Sequence, residues 1–445
     1  MKKVMNKIPA IILSLSCLAS FTKTLAGSPP AVLWIYHGAS DSSPAIGPDG
    51  TIYLAGVGGL HAVAPNGTNK WIFPQDATST APAVAPDGTI YFGSHNSKFY
   101  AVSPDGSLKW SYTVDTNTLV YIDSSPALAP DRTIYFAAQA SLFALAASGS
   151  KKWEVYIGDV RTSSPVIAPD GTIYVGSEEF HKLLALNPDG SQKWEFQAPS
   201  SVSLSPALGA DGTIYFATAS GGPLFAVSAA GAELWHNDGN FLYGSPSLGK
   251  DGTLYIGSAR DLGLFAINSV GATNWEAAAA GSNPNMTAPT TAAIDASGMI
   301  YYTASNSLFA LHPNGVTEWV FTAGTSSTSP TIGPDGTIYV GLGCCLYALQ
   351  GTNKLASSAW PKFRQNLRNT GKVEKPSLRQ PQKRSDGGFQ FQLQGEFGQG
   401  YTVQGSTNLN TWTSLTSFVA TTVPMDIVDS TATNFPVRFY RASSP

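Results

Sequence analysis

Read as apolar and polar positions, most of this chain is one pattern written eight times. Each unit holds a small residue and Pro, a few apolar residues, a turn of the PDGTIY type, an apolar run ending near LFAL, a second turn, and then Trp. Within these segments the alternation is by twos, Tyr, Ile, Val, Phe and Thr fill the positions, and Asp-Gly or Asn-Gly steps interrupt them, which predicts short strands and excludes helices. Anchored on the Ser-Pro or Ala-Pro step, the units begin at Pro44, Pro82, Pro126, Pro165, Pro206, Pro246, Pro289 and Pro330, so their spacing is 38 to 44 residues. A period of that length built from strands belongs to propeller blades.

The fourth unit shows the plan. SPVIA is a first strand, PDG a turn, TIYVGS a second strand, SEEFHK a connection, LLALN a third strand, PDG a second turn and SQKWEF a fourth strand. Gly tolerates positive φ and Asp can bond backbone two residues onward, so both PDG turns are tight hairpins and lie on one face of the ring. The second-to-third connection and the link between units then lie on the opposite face, and they vary in length and chemistry. Function is expected there. Trp71, Trp110, Trp153, Trp194, Trp235, Trp275 and Trp319 recur on the fourth strand, with Trp34 ahead of the first unit; a large ring repeated so regularly is a device for packing neighbouring sheets. The segment Val32 to Tyr36 reads as a lone fourth strand. The last unit lacks one, since Trp360-Pro361 follows, so Val32 to Tyr36 is expected to pair with Leu346 to Gln350 and close the ring without a long exposed edge.

Composition narrows the function. Only 12% of residues are charged and the formal net charge is -3, which removes the electrostatic footprint of a nucleic-acid binder. Residues 1–26 read as a signal peptide: Lys2, Lys3 and Lys7 precede the apolar stretch Ile8 to Phe21, and Thr24-Leu25-Ala26 offers small residues for cleavage. The apolar stretch is shorter than the roughly 20 residues of a spanning helix, so no transmembrane segment is expected after cleavage. Ser14 stands where a lipoprotein box wants Leu ahead of Cys17. The mature chain is therefore expected to be secreted, periplasmic or at the outer cell envelope, as a monomer. Without Cys17 only Cys344 and Cys345 remain, so no framework of disulfides holds the fold together.

Segments such as LFALHPNGVTEW and LLALNPDGSQKW resemble the repeat of the quinoprotein (PQQ-like) dehydrogenases and of the outer-membrane assembly lipoproteins that share their propeller. The resemblance covers about Val32 to Gly371, and the tail WPKFRQNLRNTG resembles a segment common at the ends of such propellers. It implies an all-β fold, an eight-bladed β-propeller of four-stranded antiparallel blades. Repeats of this type occur with and without the quinone, and fold does not fix activity. Enzymatic members hold a quinone and calcium with carboxylates, an Asn and an Arg, and carry a catalytic Asp; that set does not map onto this chain residue by residue. No catalytic residue and no cofactor are therefore expected, with PQQ and calcium as the alternative. Quinoprotein alcohol dehydrogenases also place a vicinal disulfide over the cofactor, which leaves three readings open for Cys344-Cys345: a vicinal disulfide stiffening a loop, two free thiols, or a cofactor lid.

On the face assigned to function, the unit links carry Asp76, Asp115, Tyr121, Asp123, Asp159, Arg161 and Tyr243, and the inner connections carry His95, Glu178, Glu179, His181, Arg260 and Asp261. Two readings of this polar rim stay open, a ligand face and ordinary solvated loops. Glu178, Glu179 and His181 make too small a set for a metal, and the Asp-Gly turns lack the alternating oxygen ligands of a calcium loop. No metal site is expected. Residues 372–388 are basic and Pro-containing and read as a linker. From Phe389 to Pro445 alternation returns, enough for a small β-sandwich of about five strands that resembles a short fibronectin-like module. The leading expectation is an exported, non-enzymatic propeller that binds a protein segment or a glycan at the envelope. The alternative is a PQQ-dependent dehydrogenase.

Overall fold

The computed structural model describes residues 27–39, 41–75, 80–114, 119–159, 163–219, 221–239, 242–258, 262–278, 290–304, 306–324, 328–358, 360–366, 369–371, 377–386, 388–394, 400–419, 425–432 and 438–443. The expected signal peptide lies outside them. Eight antiparallel four-stranded sheets follow one another in sequence, and we letter the strands of each blade A to D from the inside out. In blade 4 these are Val166–Ile167, Ile173–Ser177, Lys182–Leu186 and Gln192–Gln197. Strands A to C are buried almost throughout, whereas strand D alternates exposed and half-buried positions. The physical reason is position: the inner strands are covered on both faces by neighbouring blades, so they read as continuous apolar runs, and strand D meets water along one edge.

The PDG turns form as expected. Gly171 and Gly190 sit at φ of 88° and 89°, Asp170 accepts from the Thr172 N–H at 3.0 Å, and Gly171 N–H returns to the Ala168 carbonyl at 2.9 Å. Seven of the D-strand Trp residues reach into the next blade. Trp153 donates from Nε1 to the Pro188 carbonyl at 2.9 Å, and its ring lies over Gly190, where a Cβ would come within 2.9 Å of it. Trp34, Trp71, Trp110, Trp194, Trp235 and Trp275 make the same bond to the following blade. The indoles are thus wedges between blades, as the sequence implied.

Closure also follows the expectation. The strand Val32–His37 pairs antiparallel with Cys345–Leu349, with Ile35 opposite Tyr347, and supplies strand D of blade 8. A second, unanticipated seam runs inside it. The Ser before the inner Pro of blades 1, 3, 4, 5 and 6 accepts from the backbone of the preceding blade: Ala81 N–H to Ser125, Ser125 to Ser164, Ser164 to Ser205, Ser205 to Ser245, and across the junction Ser329 to Ser43. One anchor shifts. In blade 7 strand A is Ala293–Ile294, so Ala292 rather than Pro289 occupies the Pro position, and Asp295-Ala296-Ser297-Gly298 forms the turn.

The segment after blade 8 fills the axis. Trp360 is 2% exposed and Lys362 and Arg364 are buried beside it. Ala296 N–H donates to Lys354 O, Leu248 to Trp360 O, Ile294 to Pro361 O, Leu128 to Thr370 O and Ile167 to Gly371 O. A-strands are inner sheet edges, and a buried edge must find partners for its N–H groups. The carbonyls of Trp360, Pro361, Thr370 and Gly371 supply them.

The C-terminal part is two three-stranded sheets around Phe391, Leu393, Tyr401, Val403 and Ile427. One strand, Ser377–Lys383, falls inside the expected linker and pairs with Phe389–Gln394. Basic residues and Pro381 suggested a linker; they are tolerated here because the strand is an edge with a bulge between Arg379 and Gln382.

Candidate functional site

The turns between strands B and C and the links between blades share the face opposite the PDG hairpins, and three groups of side chains stand out on it. The first lies at the seam of blades 2 and 3. His95 Nε2 is 2.7 Å from Asp123 Oδ1, and its ring centroid is 4.6 Å from that of Tyr121, which is 56% exposed. Beneath them Tyr100 donates to Gln75 Oε1 at 2.6 Å and Asn96 Nδ2 donates to the same oxygen at 2.7 Å. The exposed Leu119 flanks this group in the same link.

The second group spans blades 3 and 4. Glu179 accepts from the Tyr156 hydroxyl at 3.3 Å and from the Asp159 N–H at 3.1 Å, and the Glu178 N–H donates to the Asp159 carbonyl at 2.8 Å. The negative charge of Glu179, with a smaller push from burial, raises the Tyr156 pKa. Tyr156 and Phe180 rings meet edge-on at 5.9 Å, and both are exposed. His181 does not join Glu178 and Glu179 as a donor set. It occupies the turn at φ 54°, and its carbonyl accepts from Ala198 N–H.

The third group joins the expected cysteine pair to a histidine that the sequence did not single out. Where strand D of blade 8 ends, His37 Nδ1 is 3.1 Å from Cys345 Sγ, and the Cys344 and Cys345 sulfurs are 3.5 Å apart as free thiols. Burial, then the neighbouring thiol, push Cys345 up to about 11. In adjoining blade 1, His61 is buried; its Nε2 donates to the Val57 carbonyl at 2.9 Å and its Nδ1 faces the Tyr36 hydroxyl at 2.9 Å. Burial holds the His61 pKa below its ordinary value. The sequence placed His37 almost 310 positions from the cysteines, and only strand pairing brings them together.

Of the other expected rim positions, Asp76, Asp115, Arg161, Arg260 and Asp261 lie outside the described residues. Tyr243 belongs to strand Leu242–Leu248 rather than to a free link; its backbone pairs with Gly257, and its side chain is outside what is described. The rim residues that can be located thus fall into separate groups around the ring rather than converging on one point.

The axis has its own electrostatics. Arg364 donates to the Pro165 and Pro126 carbonyls at 2.7 and 2.6 Å. Lys362 donates to the Phe363 carbonyl at 2.9 Å, the Asn366 carbonyl at 3.3 Å and Asn369 Oδ1. The partners are all neutral oxygens. Burial, and then the charge of Arg364, push the Lys362 pKa down to about 7.

Comparison with known proteins gives one family. The model of the family described as outer membrane protein assembly factor BamB matches residues 31–166 and 138–350, well over half of the chain. No curated protein matches. Among solved structures, BamB from Moraxella catarrhalis is 16% identical, with a TM-score of 0.59 over 72% of this chain and 99% of that one. The C-terminal WD40 domain of Sif2 is 11% identical, with a TM-score of 0.59 over 73% of this chain and 99% of its own. The Dos1 propeller is 12% identical, with a TM-score of 0.56 over 75% and 97%. At these identities the structures share the fold.

Proposed function

This chain belongs to the family of the outer membrane protein assembly factor BamB, and from that membership we propose that it is an exported, non-enzymatic propeller that holds a protein segment at the cell envelope. The observation that carries the reading is the arc of exposed aromatic and apolar side chains over blades 2 to 4, Leu119, Tyr121, Tyr156 and Phe180, bordered by Asp123, Asp159 and Glu179. Exposed aromatics ringed by polar groups are the usual anchors of a protein interface. The arc is also spread along a curve, which suits an extended segment better than a small molecule.

The axial segment supports the same reading. A quinone enzyme needs carboxylates, an Asn and an Arg converging on the axis, and in this chain the axial Arg364, Asn366 and Asn369 come from the protein's own tail and are engaged with it or with the inner strands. A ligand face displaced from the axis to the rim follows from that occupancy.

The test is site-specific photocrosslinking in the envelope of the producing cell. A crosslinker at Tyr121 or Phe180 should give discrete adducts with envelope proteins, and one at Val270, an exposed hairpin position on the opposite face, should not. Adducts equal at all three positions would sink the proposal. So would a raised melting midpoint on adding quinone with calcium, since a ligand that binds only the folded state must stabilise it.

A further inference from the structure

The rim carries one donor cluster that the binding role leaves unused. His37 is the last residue of the ring-closing strand and lies opposite Cys345 in its register. Cys344 sits with Gly343 in the two-residue turn from strand B to strand C of blade 8. Successive residues of a strand send their side chains to opposite faces. Because Cys344 belongs to the turn, its thiol instead falls beside its neighbour's, 3.5 Å away. The imidazole Nδ1 and the two sulfurs all lie within 4.8 Å of one another. The turn is held in place, since the Gly38 N–H donates to the Cys344 carbonyl at 2.8 Å. Gly324 of the preceding link also packs so close that an added Cβ would fall 2.3 Å from Gly343 Cα.

We propose that His37, Cys344 and Cys345 form a site for one thiophilic d10 cation of the Zn2+ or Cu+ kind. The donor chemistry selects it: two thiolates and an imidazole are soft and borderline ligands, unsuited to calcium or magnesium. Metal–sulfur and metal–nitrogen bonds of about 2.3 and 2.0 Å place tetrahedral donors roughly 3.5–3.8 Å apart. The sulfurs, 3.5 Å apart, and the imidazole Nδ1, 3.1 Å from Cys345 Sγ, are within a few tenths of an ångström of that spacing, and Nδ1 lies within 4.8 Å of Cys344 Sγ. Binding replaces the two S–H protons, which leave to solvent, with two metal–sulfur bonds. Three protein ligands leave the fourth position to water or to an incoming group. His37 and Cys344 are exposed, so that position opens outward.

The experiment uses the reduced full-length chain. Titration with Cd2+, followed by thiolate-to-metal charge-transfer absorption, should saturate at one ion per chain, and Zn2+ should compete for the same site. His37→Ala should weaken binding at least tenfold and Cys344→Ser should abolish the band, both with an unchanged metal-free melting midpoint, since both side chains are at the surface. A reduced protein that gives no stoichiometric band overturns the proposal, as does binding indifferent to His37→Ala. An intact mass two hydrogens below the reduced value that persists under reductant overturns it as well, because both sulfurs would then be committed to a disulfide.

Discussion

The two axial cations show how strongly a single residue can load this fold. Lys362 has its charge removed from water with no carboxylate among its partners, and three neutral oxygens around it offset part of that cost. Its ordinary pKa is 10.5, and burial together with Arg364 brings it to about 7. The unfolded chain therefore holds one more proton than the folded chain between these values, so this group makes stability rise with pH from about 7 to about 10 and has no further effect below 7. The difference in melting midpoint between wild type and Lys362→Met should change across that window and stay flat below it. Parallel profiles would refute the assignment. Arg364→Leu orphans the Pro126 and Pro165 carbonyls, and each unsatisfied buried carbonyl costs about 1–3 kcal/mol; chemical denaturation should register a loss within the range of two such groups.

Strands and turns repeat one mechanical joint. The Gly of each C–D hairpin is needed twice, for its positive φ and for the face of the preceding indole, and Gly190 against Trp153 is typical. Gly190→Ala should cost more than the roughly 1–2 kcal/mol of a left-handed non-glycine residue, because the added methyl also displaces the ring. Trp153→Ala should lose about 3 kcal/mol. The same two substitutions at Gly149 and Trp110 should give costs within about 0.5 kcal/mol of these, measured by urea denaturation. A large disparity would mean that the joints are not equivalent.

For the molecule as a whole, the axial segment couples blades far apart in the ring. It joins the inner strands of blades 1, 3, 4, 6 and 7 through Asn369, Thr370, Gly371, Trp360 and Pro361. A chain ending at Gly371 should keep the cooperative melting of the propeller, and one ending at Asn353 should melt far lower or fail to fold. Equal midpoints for the two truncations would show that the ring closes without its axial filling.

By itself the sequence determined the strand period, the glycine hairpins of most blades, the indole wedges and the closing partner of Val32–His37. All of these rest on local signals, turn chemistry and alternation, or on counting which unit lacks a strand. The rim face was legible for the same reason, since hairpins that share one side leave the variable segments on the other. Tertiary structure alone decided what meets across the ring: Arg364 reaches the Pro126 carbonyl 238 positions away, His37 meets Cys345 across 308, and a stretch that read as a terminal boundary became the axis. Such contacts are set by where a closed circle brings distant backbone together, and no residue's own conformational preference carries that information.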